Sequence, residues 1–68
     1  MKLSARNQIS GKIVELHKGQ TTAHVQIEIG GGVRITSSIT NEAVDDLGLK
    51  SGDNVQAVIK ASDVMVAK

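Results

Sequence analysis

Hydrophobic and polar residues alternate with a period of two in the middle of this chain, and this pattern constrains the fold more than any other feature. Between residues 23 and 29, every second residue is apolar: Ala23, Val25, Ile27 and Ile29. Successive side chains of a β-strand point to opposite faces of a sheet, so this spacing predicts a half-buried strand. The sequence therefore favours a sheet with one apolar face.

Four other segments also predict strands. Residues 9–16 are rich in β-branched and aliphatic side chains, and Gly11 within them marks a bend or a close backbone approach. Apolar residues again occupy alternate positions in residues 33–40 and 55–59. The short apolar run at residues 64–66 predicts a fifth strand.

A short helix is predicted between the third and fourth strands. Thr40 or Asn41 is suited to cap its N-terminus, and Gly48 is typical of the residue that follows the C-terminus of a helix. Turns are expected at residues 17–20 and at the three consecutive glycines, residues 30–32.

The order of these elements is β-β-β-α-β-β. It predicts an all-β fold, a small five-stranded Greek-key barrel of the oligonucleotide/oligosaccharide-binding type, with one short helix between strands three and four. An open β-meander with one helix is the alternative. A length of 68 residues predicts a single domain over residues 1–68.

Composition predicts self-association. A chain this short buries only about 60% of its unfolded surface, so small domains commonly need disulfides, a structural metal or oligomerisation. Cysteine, proline and all aromatic residues are absent. Disulfides and a zinc–thiolate centre are thereby excluded, and a homo-oligomer is expected.

Charge and hydropathy exclude several classes of partner. Eight Lys and Arg against seven Asp and Glu give a net charge of +1, which is too balanced for a general polyanion binder. Single-strand nucleic-acid sites use stacking aromatics, which this chain lacks. No apolar run approaches the roughly 18 residues of a membrane span, and residues 1–4 lack a signal-peptide core. A cytoplasmic location is expected.

No catalytic or cation-binding constellation is evident. His17 and His24 lack neighbours at the spacing of a catalytic triad or a metal site, so they are interpreted as solvated surface residues. Asp45 and Asp46 are adjacent on the predicted helix and do not face each other. The sequence therefore predicts a protein that is not an enzyme.

Two clusters of hydrogen-bond donors indicate a site for a small anion. Residues 4–8 place a hydroxyl, a guanidinium and two amides just before the first strand, and residues 60–63 combine a cation with a hydroxyl. Thr40 adds a hydroxyl at the start of the helix, where free N–H groups favour anions. Charge-assisted hydrogen bonds to such an anion are worth about 1.5–3 kcal/mol each. Exposed strand ends with solvated Lys and Arg are the alternative interpretation.

Several strings along the whole chain also resemble a known family. They are SARNQ at residues 4–8, IEIGGG at 27–32, ITNE at 39–42, LGLKSGD at 47–53 and VIKASDVMV at 58–66. Together they resemble the molbindins, small molybdate- and tungstate-binding proteins whose module recurs in molybdate-responsive regulators and transporter ATPases.

The resemblance implies a function and an assembly. Molybdate or tungstate would be bound for intracellular storage, buffering or delivery by a homo-oligomer, expected as a hexamer built from three dimers. The oxyanion would be the only bound group, with no organic cofactor, no free metal cation, no nucleic acid and no membrane. A structural or interaction module with a weak, vestigial anion site is the alternative function.

The resemblance also implies a set of ligand residues divided between subunits. Hydroxyl, backbone and guanidinium contacts from one subunit would come from Ser4, Ala5 and Arg6. The remaining contacts of the pocket would come from Thr40, Lys60, Ala61 and Ser62.

Ala43 departs from the family pattern. Related sequences usually carry Ser at this position, and Ala43 keeps the backbone N–H but loses the hydroxyl. Loss of one neutral hydrogen bond weakens binding by about 0.5–1.5 kcal/mol. Ala43 is therefore expected to contact the anion through its backbone alone.

Overall fold

Four antiparallel strands and one short helix make up the fold in a computed structural model that describes residues 4–68. The elements are β1 (Asn7–Lys18), β2 (Thr22–Gly30), β3 (Val33–Thr40), α1 (Asn41–Leu47), β4 (Asn54–Ile59) and a 3₁₀ turn (Ala61–Asp63). Residues 1–3 lie outside the described residues. The domain predicted over residues 1–68 and the expected lack of a signal-peptide core at residues 1–4 both include them. In residues 4–68, no helix has the length and hydrophobicity needed to cross a membrane.

β1 organises the sheet because it pairs with two partners. The strand order is β3-β2-β1-β4, with every pair antiparallel. β4 pairs with the first half of β1, residues 7–12, and β2 pairs with the second half, residues 12–18. Three hairpin-connected strands with a fourth returning beside the first have the spatial order of a Greek key. The Greek-key order of the first four strands therefore agrees with the predicted fold.

Gly11 lies where the pairing of β1 passes from β4 to β2. A Cβ atom on Gly11 would be only 2.6 Å from Cγ2 of Ile27 and 2.7 Å from the carbonyl oxygen of Glu28. Real Cβ atoms do not make such contacts with backbone, so the close approach of β2 requires a residue without a side chain. The close backbone approach predicted at Gly11 is confirmed.

The buried core is aliphatic and lies mainly on β1 and β2. Ile13 is 1% exposed and packs with Val25, Ile27 and Ala57. The alternation predicted for β2 agrees with this arrangement, since its buried residues are Ala23, Val25 and Ile27. The apolar face continues into an open groove, here called the apolar groove, whose lining includes Ile35, Ile39, Leu47, Leu49 and Val58.

The helix begins and ends at the predicted residues. The Thr40 hydroxyl oxygen accepts a hydrogen bond from the Ala43 N–H at 3.0 Å, which makes Thr40 the N-cap. Gly48 follows the helix in the left-handed region, with φ 62°. Its N–H and that of Leu49 donate to Asp45 and Val44, in the pattern of a Schellman motif.

The predicted fifth strand does not form. Residues 64–66 belong to no strand of the described chain, and Met65 and Val66 are each 93% exposed. The 3₁₀ turn separates this segment from β4, and three residues without a hydrogen-bonded neighbour cannot hold a strand. The strand predicted at residues 64–66 is therefore wrong. The closed five-stranded barrel is not confirmed, because the described sheet is open and has four strands.

Replacing Gly11 by Ala should destabilise the protein. The new methyl group would press on the backbone of β2, and overpacking of this kind costs about 1–3 kcal/mol. Urea unfolding of Gly11→Ala and of Ser10→Ala, its exposed neighbour on the same strand, measures the difference. Equal stability of the two variants would contradict the close approach.

Candidate functional site

Six of the eight predicted ligand residues lie at one end of the β1–β4 ladder. The last pair of this ladder joins Asn7 to Ile59, and the Asn7 side-chain Nδ2 donates to the Ile59 carbonyl at 3.2 Å. Arg6 immediately precedes β1, and Lys60 immediately follows β4. Because the strands are antiparallel, these two residues leave the sheet side by side. The register therefore places residues 4–6 and 60–62 at the same end of one chain.

Small residues and accessible donors make up this end of the sheet. Ser4 and Arg6 are exposed, and Ala5 is half-buried. Lys60 precedes the 3₁₀ turn, which is closed by a hydrogen bond from the Asp63 N–H to the Lys60 carbonyl at 2.9 Å. The first N–H groups of a 3₁₀ turn have no acceptor within the turn. Donors at Ala61 and Ser62 thus directly follow Lys60, at the same end of the sheet as Arg6.

Neither cation at this end takes part in an ion pair within residues 4–68. Within residues 4–68, the ion pairs join Lys18 to Asp45 and Lys50 to Asp53. Arg6 and Lys60 belong to neither pair and are exposed. Two uncompensated positive charges on adjacent strand ends favour an anion between them.

The other two predicted residues lie at the opposite end of β1. Thr40 pairs with Thr22 of β2. The next residue of β2, Ala23, pairs with Lys18, the last residue of β1. Asn41 holds the start of the helix there, donating from its backbone to the Thr21 carbonyl and from Nδ2 to the Gly19 carbonyl, both at 2.9 Å. Within one chain, the sheet register therefore separates Thr40 and Ala43 from Arg6 and Lys60.

The capping hydrogen bond determines which groups of Thr40 and Ala43 are free to donate to an anion. The Ala43 N–H donates to the Thr40 oxygen, so it already has an acceptor. The Thr40 hydroxyl accepts this bond and keeps its own proton for another acceptor. Thr40 can thus donate to an anion, whereas a backbone contact from Ala43 requires the cap to open. The predicted contact at Ala43 stays a prediction.

Two amides have positioning roles that differ from those predicted: Asn7 was expected among the donors for the anion, and Asn41 as a possible N-cap. Asn7 ties the start of β1 to the end of β4, and Asn41 ties the helix to the β1–β2 turn. Each is the first residue of its element, where an amide side chain can satisfy a backbone group. That placement is the sequence signal that could have indicated them.

Comparison with known proteins identifies relatives over the full length of the fold. A family model described as the TOBE domain matches residues 3–66. Molybdenum-pterin-binding protein 1 of Clostridium pasteurianum is 53% identical over 66 residues, which cover 97% of each chain.

Solved structures similar to this chain include two molybdate-binding proteins. A molybdate-binding protein from Sporomusa ovata has a TM-score of 0.94 and 35% identity, with 100% of each chain covered. The cytoplasmic molybdate-binding protein ModG, in a form with molybdate bound, has a TM-score of 0.90 and 46% identity. The similarity covers 96% of this chain and 46% of ModG, so this chain spans about half of that protein.

Replacing Thr40 by Ala should destabilise the helix, because the Ala43 N–H would lose its acceptor. The expected loss of unfolding free energy is about 0.5–2 kcal/mol, and Thr40→Asn should lose little since Asn is a good N-cap. Thermal or urea unfolding of both variants measures the effect. An equal loss in the two would mean that the hydroxyl does not act as a cap.

Proposed function

The chain belongs to the TOBE domain family, and from this membership we propose that it binds molybdate as a non-catalytic, cytoplasmic oxyanion-binding protein. The observation that carries the proposal is the end-to-end similarity to proteins described as binding molybdate or molybdenum-pterin. Storage or buffering of the anion is the role that such binding serves, and residues 1–68 form one domain for it.

The chemistry of the Arg6–Lys60 end supports an oxyanion ligand. Molybdate is a tetrahedral dianion, so it needs positive charge and several donors directed at four oxygens. The side chains of Arg6 and Lys60 supply the charge, and the hydroxyls of Ser4 and Ser62 supply donors. Tungstate has the same charge and shape and should bind similarly. Sulfate is smaller, so the size of the pocket must exclude it.

A complete pocket requires more than one copy of the chain. The Arg6–Lys60 end and Thr40 lie at opposite ends of β1, so residues of a second copy must complete a site that uses both. We assign residues 4–6 and 60–62 to one copy and Thr40 to another. The register favours this grouping over the one that the resemblance implied, in which residues 60–62 accompany Thr40.

Exposed apolar surface supports self-association. The apolar groove is open to solvent, and two of its lining residues are exposed, Leu47 at 69% and Val58 at 46%. Outside the groove, Met65 and Val66 are each 93% exposed. Contiguous apolar surface on a small protein commonly marks an interface. A homo-oligomer, as a hexamer of three dimers, is the assembly that we propose on the family resemblance.

Arg6→Ala and Lys60→Ala should each weaken molybdate binding. Loss of a charge-assisted interaction of about 1.5–3 kcal/mol corresponds to a roughly 10- to 150-fold rise in Kd. Equilibrium dialysis with molybdate, and in parallel with tungstate and sulfate, measures the change. Wild-type affinity in both variants would contradict the assignment of the site.

Matched controls for these two variants are available on the same chain. Arg34→Ala removes an exposed cation from β3, and Lys50→Ala removes one from the turn before β4. Both should bind like wild type. If assembled wild-type protein takes up no molybdate at micromolar concentration and gains no thermal stability from it, the alternative of a structural module is correct instead.

Mixed oligomers test the division of the site between copies. Thr40→Asp keeps a good N-cap but places a carboxylate in the pocket, so it should repel the anion while preserving the fold. Unfolding and refolding Arg6→Ala together with Thr40→Asp should restore about a quarter of the sites, because some interfaces then combine two intact halves. The isosteric Thr40→Asn serves as the neutral control.

Mixed oligomers of a second pair of variants test whether Arg6 and Lys60 belong to the same copy. Mixing Arg6→Ala with Lys60→Ala should restore no sites if both residues belong to one copy's half. Recovery in this mixture would instead place Lys60 on the opposite subunit. No recovery in the Arg6→Ala and Thr40→Asp mixture would show that the site does not span two copies.

A further inference from the structure

The two histidines of the chain face each other across the β1–β2 ladder. The register pairs His17 of β1 directly with His24 of β2, between the pairs Leu16–Val25 and Lys18–Ala23. Both imidazoles are on exposed residues. The sequence interpretation as two separate solvated residues missed this pairing, because histidines seven positions apart show no ligand spacing until the hairpin register is known.

The geometry of this pair suits chelation. Directly opposite residues of antiparallel strands project from the same face, with Cβ atoms about 4.5–5.5 Å apart. Metal–nitrogen bonds of about 2.0–2.1 Å place two ligand nitrogens on one ion about 3 Å apart. Imidazole rings pivoting about χ1 and χ2 can bring two nitrogens to that separation without moving the strands.

The face that carries the pair is turned away from the core. Val25, next to His24, is 2% exposed, and Ala23 on its other side is 0% exposed. Because successive residues of a strand point to opposite faces, His24 and its partner lie on the solvent side. Water can therefore reach a bound ion and fill its remaining coordination positions.

Neighbouring charges do not oppose a cation there. Lys18, the residue after His17, donates from its ammonium to a carboxylate oxygen of Asp45 at 2.5 Å, which neutralises the nearest positive charge on β1. Glu15 lies two residues before His17, and β-strand periodicity puts it on the same face. Its negative charge favours a cation nearby.

We propose that His17 and His24 form a two-ligand site for a divalent late first-row metal ion. Imidazole ligands suit Cu²⁺, Ni²⁺ and Zn²⁺, and the Irving–Williams order predicts the tightest binding for Cu²⁺. No group of three or more His, Cys, Asp or Glu in residues 4–68 is placed to hold a metal ion, so water completes the coordination. This site is separate from the proposed oxyanion pocket and does not depend on it.

Binding of Ni²⁺ should stabilise the folded chain, because only the folded hairpin holds the two imidazoles together. The melting temperature of the wild type should rise with Ni²⁺ concentration, and EDTA should reverse the rise. His17→Gln and His24→Gln should each weaken Ni²⁺ binding at least tenfold, as measured by isothermal titration calorimetry. Both variants should keep the wild-type melting temperature without metal.

A variant in which one histidine is moved tests whether metal binding needs the His17–His24 pair or only two histidines in the chain. His24→Gln combined with Gln56→His keeps two histidines but moves one to an exposed position on β4, on the other side of β1. Stabilisation by Ni²⁺ should be lost in this variant. Retention of wild-type Ni²⁺ affinity in it, or in either single variant, would overturn the proposal.

Paramagnetic NMR gives an independent readout. Substoichiometric Cu²⁺ should broaden the resonances of residues around both histidines in the wild type. Because the two histidines are directly opposed, broadening that persists at wild-type strength in His17→Gln or in His24→Gln would show single-imidazole binding and overturn the proposal. Broadening around both, lost in His17→Gln, would support it.

Discussion

The shared pairing of β1 is the constraint on which the rest of the structure depends. One strand of 12 residues is paired with β4 at its start and with β2 at its end, and Lys12 is common to both ladders. The change of partner requires the backbones of β1 and β2 to approach closely, and Gly11 permits this because it has no side chain. Ile13, the most deeply buried large residue, follows two positions later on the same face and packs against β2 and β4.

Local sequence patterns predicted those parts of the fold that local physics determines. Alternation predicted β2, β3 and β4, β-branched composition predicted β1, and Thr40 and Gly48 predicted the ends of the helix, because strand propensity and capping depend on near neighbours. The apolar run at residues 64–66 was different. Whether an apolar run forms a strand depends on a partner far away in sequence or on another chain, and periodicity does not report that partner.

The candidate site likewise combines residue types that the sequence predicted with placements that only the fold revealed. Residue types predicted the donor clusters at residues 4–6 and 60–62, since hydroxyls, amides and cations on small-residue segments are visible in the sequence. Their placement side by side follows from the pairing of Asn7 with Ile59, which the sequence did not reveal. The engagement of the Ala43 N–H by Thr40 also emerges only from the folded helix, and it changes Ala43 from a free donor into part of a cap.

Strand register is thus the common cause of both proposed sites. It brings Arg6 next to Lys60 although nearly the whole chain lies between them, and it sets His17 opposite His24 across a single hairpin. A slip of one residue would turn one histidine of the pair towards the core and would separate the two cations. The packing of Ile13, Val25 and Ile27 that fixes the register for the sake of stability therefore also determines which charged and metal-binding groups meet at the surface.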